Sequence, residues 1–561
     1  MRFSSRVKVS ISLLALFALA SSFMLYGLLS RGNATHPAHA ASVKSFGATT
    51  GTLTPYAVVN PESLTLTGDA TASGSTFPKG ARRYQHPTSA PSHAPQVSSS
   101  SQVSSTGTLL EGFNGVSSRD SAITNFGLEF EPPDQGLCVG NGFIVEPVNS
   151  AFTIYRASGK VVAGPFNVNK LFDDGFKQFT SDPRCYFDKA TNTWFAIILF
   201  INNTSTRART DIAVNNSGDP TTPWTVFRLD ATDDGTNGTP NHSGCPCLGD
   251  QPTLGIDAFN LYITTNEFSI TGTAFNGAQI YAISKPDLVS LSSSVHFVHF
   301  DNLSIGGSVA ASVQPALTNG ASPAEFFLNS LDPNGTGDNR IGVWAITNRA
   351  AVGKGGIPTL SNIVLTSESY SNPLGAQQKG STSLLNADDD RMQQTQYIGG
   401  NIWGALDTSV SITGDTTTRA GAAWFKVSPN LDSTGVLTAS TSIADQGFVA
   451  SKGNYLLYPA LQVSSTGSAA IVMTLSGANH FPSAVYVMMR QGQNSFGDIN
   501  IAGFGTTFYS PTSTRWGDYS WAVLAPDGQS FWFATEYMPP RSSQTVDQLA
   551  DWGTFVLQVA A

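Results

Sequence analysis

Carboxylates, amides and guanidinium groups recur in one local setting along this chain, at the head of a short apolar stretch. The copies are Pro133-Asp134-Gln135-Gly136, Ser181-Asp182-Pro183, Asp250-Gln251-Pro252, Gln314-Pro315, Gln396-Tyr397, Tyr458-Pro459 and Gly517-Asp518-Tyr519. Gathered in one place, Asp134, Asp182, Asp250, Gln251, Gln314, Gln396 and Asp518 have the chemistry to hold a cation, hydrogen-bond a sugar or carry out acid–base work. Arg184, Arg391 and Arg515 sit at or just before the same openings, and three guanidinium forks suit a carboxylate-bearing ligand. Glu536-Tyr537 adds a candidate nucleophile or general base. The same side chains also have a purely structural use, since Asx and amide groups cap turns and tie neighbouring strands together.

Two further stretches place oxygens at alternate positions in Gly-rich turns: 230–235, and 332–338, which runs from Asp332 to Asp338. Both resemble calcium loops but lack the terminal bidentate Glu, so they read as β-turns; calcium is the one cofactor that this chemistry admits. Asp388-Asp389-Asp390 reads as a solvated loop. Sequence signatures of phosphate-binding loops, serine-hydrolase elbows and helical zinc sites are missing. The catalytic assignment is therefore open.

The elements that must position these groups are strands. Charged residues make up 12 % of the chain, against 53 Gly and 34 Phe, which favours short strands and tight turns over amphipathic helices. Successive openings lie roughly 50 to 80 residues apart, the mark of a repeat architecture. After Asp182, the apolar stretches 194–200, 211–214 and 224–228 complete a four-stranded antiparallel meander. The third copy repeats it at 253–256, 261–265, 278–283 and 295–300, and the last gives 519–524, 531–535 and 554–559. Such meanders are the blades of a β-propeller. The expected fold is all-β: about seven four-stranded blades over 111–561, with six or eight as alternatives. The ring closes by pairing 552–559 with a strand near 112–130.

Four cysteines, Cys138, Cys185, Cys245 and Cys247, favour disulfides in an exported chain. Cys138 and Cys185 lie just inside consecutive openings, so a bridge between them is attractive; 138–245 with 185–247 and 138–247 with 185–245 are the competing pairings. A zinc site at Cys245 and Cys247 has only His242 as a further local ligand, and no metal is expected there. The formal net charge of −9 and the lack of a basic stripe exclude a nucleic-acid partner. A basic start, an uncharged run over 9–30 and Ala38-His39-Ala40 make 1–40 a signal peptide or an N-terminal membrane anchor. Residues 41–110, rich in Ser, Thr, Pro and Ala, read as a disordered linker.

Several phrases resemble a family of exported bacterial β-propeller proteins, related in fold to sialidase-like propellers. They are Pro132-Pro133-Asp134-Gln135-Gly136, Asp182-Pro183-Arg184-Cys185-Tyr186-Phe187-Asp188, Gly249-Asp250-Gln251-Pro252 and Arg515-Trp516-Gly517-Asp518-Tyr519. The resemblance covers about 120–560 and implies a propeller and export, with no particular activity. The sialidase Asp-box is not intact, since Pro526-Asp527-Gly528-Gln529-Ser530-Phe531-Trp532 lacks its spacing. The functional expectation is a secreted or cell-surface monomer that binds an extracellular glycan or protein at its channel face without catalysis. The alternative is a glycan-processing hydrolase or lyase at the same mouth.

Overall fold

The structure is a computed structural model, and it describes residues 46–64, 94–104, 108–125, 127, 130–176, 178–332, 335–510, 515–540 and 552–561, all within one unit spanning 38–561. The expected leader, 1–40, lies outside the described residues.

Seven antiparallel meanders follow one another along the chain, at 138–167, 179–230, 247–301, 314–370, 392–449, 454–503 and 521–560. They are blades one to seven of a β-propeller. The last blade is completed by the strand Glu111–Ser117, which pairs antiparallel with Gly553–Ala560 and closes the ring where the sequence predicts it. The innermost strands of blades three, four and five also touch in parallel, with Ile256 opposite Leu317 and Ala316 opposite Thr395.

Packing between blades explains the sequence pattern. A blade inside the ring is covered on both faces, so its middle strands read as continuous apolar runs rather than alternating ones. Every residue of Thr193–Ile201 is buried. One apolar cluster joins Phe143, Ile154, Trp194 and Ile198 across blades one and two, and another joins Tyr262, Ile280, Phe327 and Trp344 across blades three and four. Cys138 and Cys185 form a disulfide between the inner strands of blades one and two, with Cα atoms 5.1 Å apart. Cys245 closes on Cys247.

Part of the stretch read as a linker corrects that reading. Gly47–Leu53 adds an outer strand to blade three and Pro55–Val59 adds one to blade two. Gln96–Val97 and Val103–Ser104 pair with blades five and six. An outermost strand presents unpaired amides and carbonyls, and a short Thr/Val-bearing segment suffices to cover them. Residues 65–93 lie outside the described residues.

The recurring opening phrase is a backbone device. Asp134, Asp182, Gln251, Ser312, Asp388, Tyr458 and Gly517, one per blade, all adopt positive φ between 46° and 58°. In blades two, three and six the pairing register shifts at this point, next to Pro183, Pro252 and Pro459. A proline supplies no ladder donor, so it fits a bulge where one residue is left unpaired. In these three blades the irregularity falls at the corresponding place of the inner strand, three to four residues after its start.

Candidate functional site at the channel mouth

Blades one, two and seven bring three carboxylates together. Oxygens of Asp134, Asp182 and Asp518 all lie within 4.8 Å of one another. Asn149 links the first two: its amide donates to Asp134 Oδ2 at 2.7 Å, and its carbonyl accepts the Asp182 backbone N–H at 2.7 Å. Asp182 Oδ1 also accepts the Ser181 hydroxyl at 2.9 Å. Asp134 Oδ1 and Asp518 Oδ1 are buried with no hydrogen-bond partner.

Two guanidinium groups answer this negative charge in different ways. Arg515 pairs directly with Asp518. Arg184 is 1 % exposed and sits over aromatic rings, with Cζ 3.0 Å from the Tyr519 centroid and 5.0 Å from that of Trp521. Its Nε and Nη1 have no hydrogen-bond acceptor. Burial pulls its pKa down to about 9, opposed by the charges of Asp182, Asp134 and Asp518. Burial pushes Asp134 up to about 7, with the charge of Asp182 adding to the rise and Arg515 opposing it. Asp250 rises to about 7 for the same two reasons, opposed by Arg391 and Arg515. Glu536 is 2 % exposed, and burial drives it well above the ordinary carboxylate range, with the charge of Asp134 adding to the rise.

Arg391 is held by its own blade. Its Nε and Nη2 form a fork on Asp389 at 2.6 and 2.5 Å, and Nη1 donates to Gln251 Oε1 of blade three. Asp388 lies 3.4 Å away. The run Asp388-Asp389-Asp390 is therefore buried at the mouth instead of forming a solvated loop, because Arg391 needs its charge.

The structure brings Asp134, Asp182, Arg184, Asp250, Gln251, Arg391, Arg515 and Asp518 to one end of the inner strands. Two of the sequence candidates fall elsewhere. Gln396 is fully buried inside blade five, accepting the Val463 N–H at 2.6 Å and donating to Val463 O at 2.9 Å, a tie to blade six. The fifth opening is instead the segment from Asp388 to Arg391. Gln314 is 3 % exposed, and its backbone pairs with Leu328 within blade four. Gln135, quoted only as part of a phrase, ties blade one to blade seven by donating to Tyr519 O at 2.8 Å.

Beside the mouth, blades three to five enclose a small cavity of about 70 Å³. Asp250, Arg391, Asn266, Asn329, Phe268 and Phe275 are among its lining residues. The two phenyl rings pack with centroids 4.8 Å apart. Sequence reasoning reached Asp250 and Arg391 but missed the cavity, because Asn266, Phe268, Phe275 and Asn329 come from second and third strands of the blades, which carry no recurring phrase.

Strand order and closure define the class: a seven-bladed β-propeller. The sequence matches no family model and no curated protein. Solved structures similar to it include the Dos1 propeller, at 8 % identity and a TM-score of 0.33, covering 77 % of this chain and 80 % of that one. A Hadza microbial sialidase aligns at 7 % identity and a TM-score of 0.32, covering 74 % and 73 %. An exo-β-1,3-galactanase from Clostridium thermocellum aligns at 9 % identity and 0.28, covering 67 % and 78 %. Likenesses at this level carry no functional argument, and the propeller rests on the strand pairing itself.

Proposed function

We propose that this protein is an exported, monomeric β-propeller that binds an extracellular glycan at its channel face, beside a cavity that admits a substituent and not a whole sugar ring, without turning it over. The observation that carries this reading is the cavity lining: a half-buried carboxylate and a guanidinium, Asp250 and Arg391, together with two asparagines and a pair of packed phenyl rings. Few polar groups in fixed positions beside aromatic faces suit a sugar, which offers hydroxyls on its edge and C–H groups on its face. Both disulfides and the leader-like start fit an extracytoplasmic, bacterial cell-surface or secreted setting. Arg391 and Arg515 are engaged by their own aspartates, and Asp134 and Asp182 are 1 % and 7 % exposed, which favours binding over catalysis.

A second reading, a hydrolase or lyase acting on glycans, draws on one observation. Asp134, Asp182 and Asp518 lie close to the roughly 5 Å spacing of carboxyl pairs in retaining glycosidases, and Asp134 titrates near 7. A glycan array and a chromogenic-glycoside panel separate the two. Binding without turnover, lost in Asp250→Ala and Phe275→Ala variants that keep the parental melting temperature, is the expected result. Turnover abolished by Asp134→Asn would establish the second reading instead.

A further inference from the structure

Away from the mouth cluster, the loop 231–246 between blades two and three folds back on itself, with the His242 N–H donating to Asp233 O at 2.9 Å. It carries Asp233 and His242 against Glu267 of blade three, and oxygens and ring nitrogen of the three lie within 4.8 Å of one another. His242 Nδ1 is 2.8 Å from Glu267 Oε2 and 3.8 Å from Asp233 Oδ2. Donors about 2.0–2.2 Å from one ion sit about 3.0–3.5 Å apart in octahedral or tetrahedral geometry, so the two carboxylates stand from the imidazole at nearly the separations that a shared ion requires.

Two independent observations point to a ligand. Asp233 is 1 % exposed, adopts φ of 48°, and neither of its oxygens has a hydrogen-bond partner. Among the described residues, His242 is the one positive partner near Asp233, and with Asp233, Glu267 and Asp301 all facing that single imidazole the cluster keeps an excess of buried negative charge that a cation would neutralise. The second is the support behind the cluster. His242 Nε2 is 3.2 Å from Asp301 Oδ2, and Asp301 is itself fixed by Asn302 at 2.9 Å. Asn276 holds Glu267 Oε1 at 2.8 Å. Histidines that ligate metals donate their other ring N–H to a carboxylate in this way, and ligating carboxylates are in turn hydrogen-bonded.

We infer that Asp233, His242 and Glu267 form a binding site for a divalent first-row transition ion, oriented by Asp301 and Asn276. One imidazole and two carboxylates select zinc- or manganese-like ions over calcium, which takes six or more oxygens. The Cys245–Cys247 disulfide keeps both sulfurs, adjacent to Glu267, out of the donor set. Asp233 also lines a cavity of about 540 Å³ between blades two and three, walled by Arg209, Arg228 and Tyr281. Three protein ligands with a cavity alongside leave coordination positions open, the arrangement of sites that exchange a bound water for a ligand.

The test is zinc titration of the full, oxidised chain by calorimetry, with zinc retained after dialysis measured by mass spectrometry. The expected result is one ion per chain, lost in Asp233→Asn/Glu267→Gln and retained in Asp134→Asn. Asp301→Asn should weaken zinc 10- to 100-fold with the ligands intact. Zinc K-edge absorption on the wild-type protein should show a shell of nitrogen and oxygen only. No stoichiometric zinc, zinc that survives the double substitution in a folded variant, or a shell containing sulfur would each overturn the site.

Discussion

Arg184 shows how a single residue organises the mouth. Its guanidinium is enclosed, sits over the Tyr519 ring, and faces Asp134, Asp182 and Asp518 without a fork onto any of them. The arrangement puts positive charge beside three carboxylates whose own pairings run to Asn149, Ser181 and Arg515. Removing a partner from a buried charge cluster leaves uncompensated charge, which typically costs about 3–5 kcal/mol. Arg184→Met should therefore lower unfolding stability by about 3 kcal/mol in a urea titration, and Arg184→Lys should recover only a minor part, because an ammonium lacks the planar guanidinium face. A loss under about 1 kcal/mol in both variants would mean that Arg515 alone neutralises the cluster. These residues were legible in the sequence because the phrase that presents them is local: a left-handed residue and a bulge, written as Asp-Pro, Gln-Pro or Gly-Asp. Gln396 was misread because 393–397 offers several amides beside a tyrosine, while blade five places its left-handed turn further upstream, at Asp388. The Asp233–His242–Glu267 cluster was legible only in halves. His242 and the 230–235 turn stood out, but Glu267 joins them through strand register across a blade, which no spacing rule encodes.

At the scale of elements, the strand Glu111–Ser117 decides whether the ring is shut. Glu146 of blade one reaches it, accepting the Val116 N–H at 2.9 Å and the Thr554 hydroxyl at 2.5 Å, so one carboxyl group holds both strands of the closure. Gly115 makes the approach feasible, since a β-carbon there would collide with Glu146 and Thr554. Gly115→Ala should therefore open the closure and lower the melting temperature, whereas Gly127→Ala, facing open space, should act only through its backbone strain. Burial raises the Glu146 pKa from 4.5 to about 7. A carboxyl raised in the folded state binds its proton more tightly there than in the unfolded chain. Its stabilising share is thus complete below pH 4.5 and is lost as pH rises through about 7, at about 1.4 kcal/mol per pH unit in between. Glu146→Gln should flatten that portion of the stability–pH curve, read by chemical unfolding between pH 4.5 and 8. An unchanged slope in the variant would assign the pH dependence to other carboxyls that burial raises, among them Asp134 and Asp250 to about 7, Asp233 to about 8 and Asp174 to about 9.

For the whole molecule, the problem a propeller must solve is its outer edges, because ring closure pairs only one blade. Blades two and three solve it with the segment 47–59, whose strands cover Trp224–Asp230 and Val295–Asp301. Leu53 and Val59 are buried there, and Arg228 lies over the Tyr56 ring at 3.2 Å. Composition hid this role. A stretch of Gly, Thr and Ala has too little apolar surface to form a core alone, and it becomes ordered only because an existing strand supplies a hydrogen-bonding template. The blades themselves were readable because each buries two faces and so writes long apolar runs at a regular spacing. The covering strands bury one side of a few residues and write almost nothing. Deleting residues 1–64 should leave the seven blades folded by circular dichroism but expose two adjacent outer edges. The truncated chain should then self-associate in a concentration-dependent way in light scattering, while the full chain stays monomeric, and its melting temperature should fall by several degrees. If the truncated chain instead remains monomeric with an unchanged melting temperature, the outer strands of blades two and three protect themselves by twist and charge, and 47–59 is an accessory of the fold and not part of its edge.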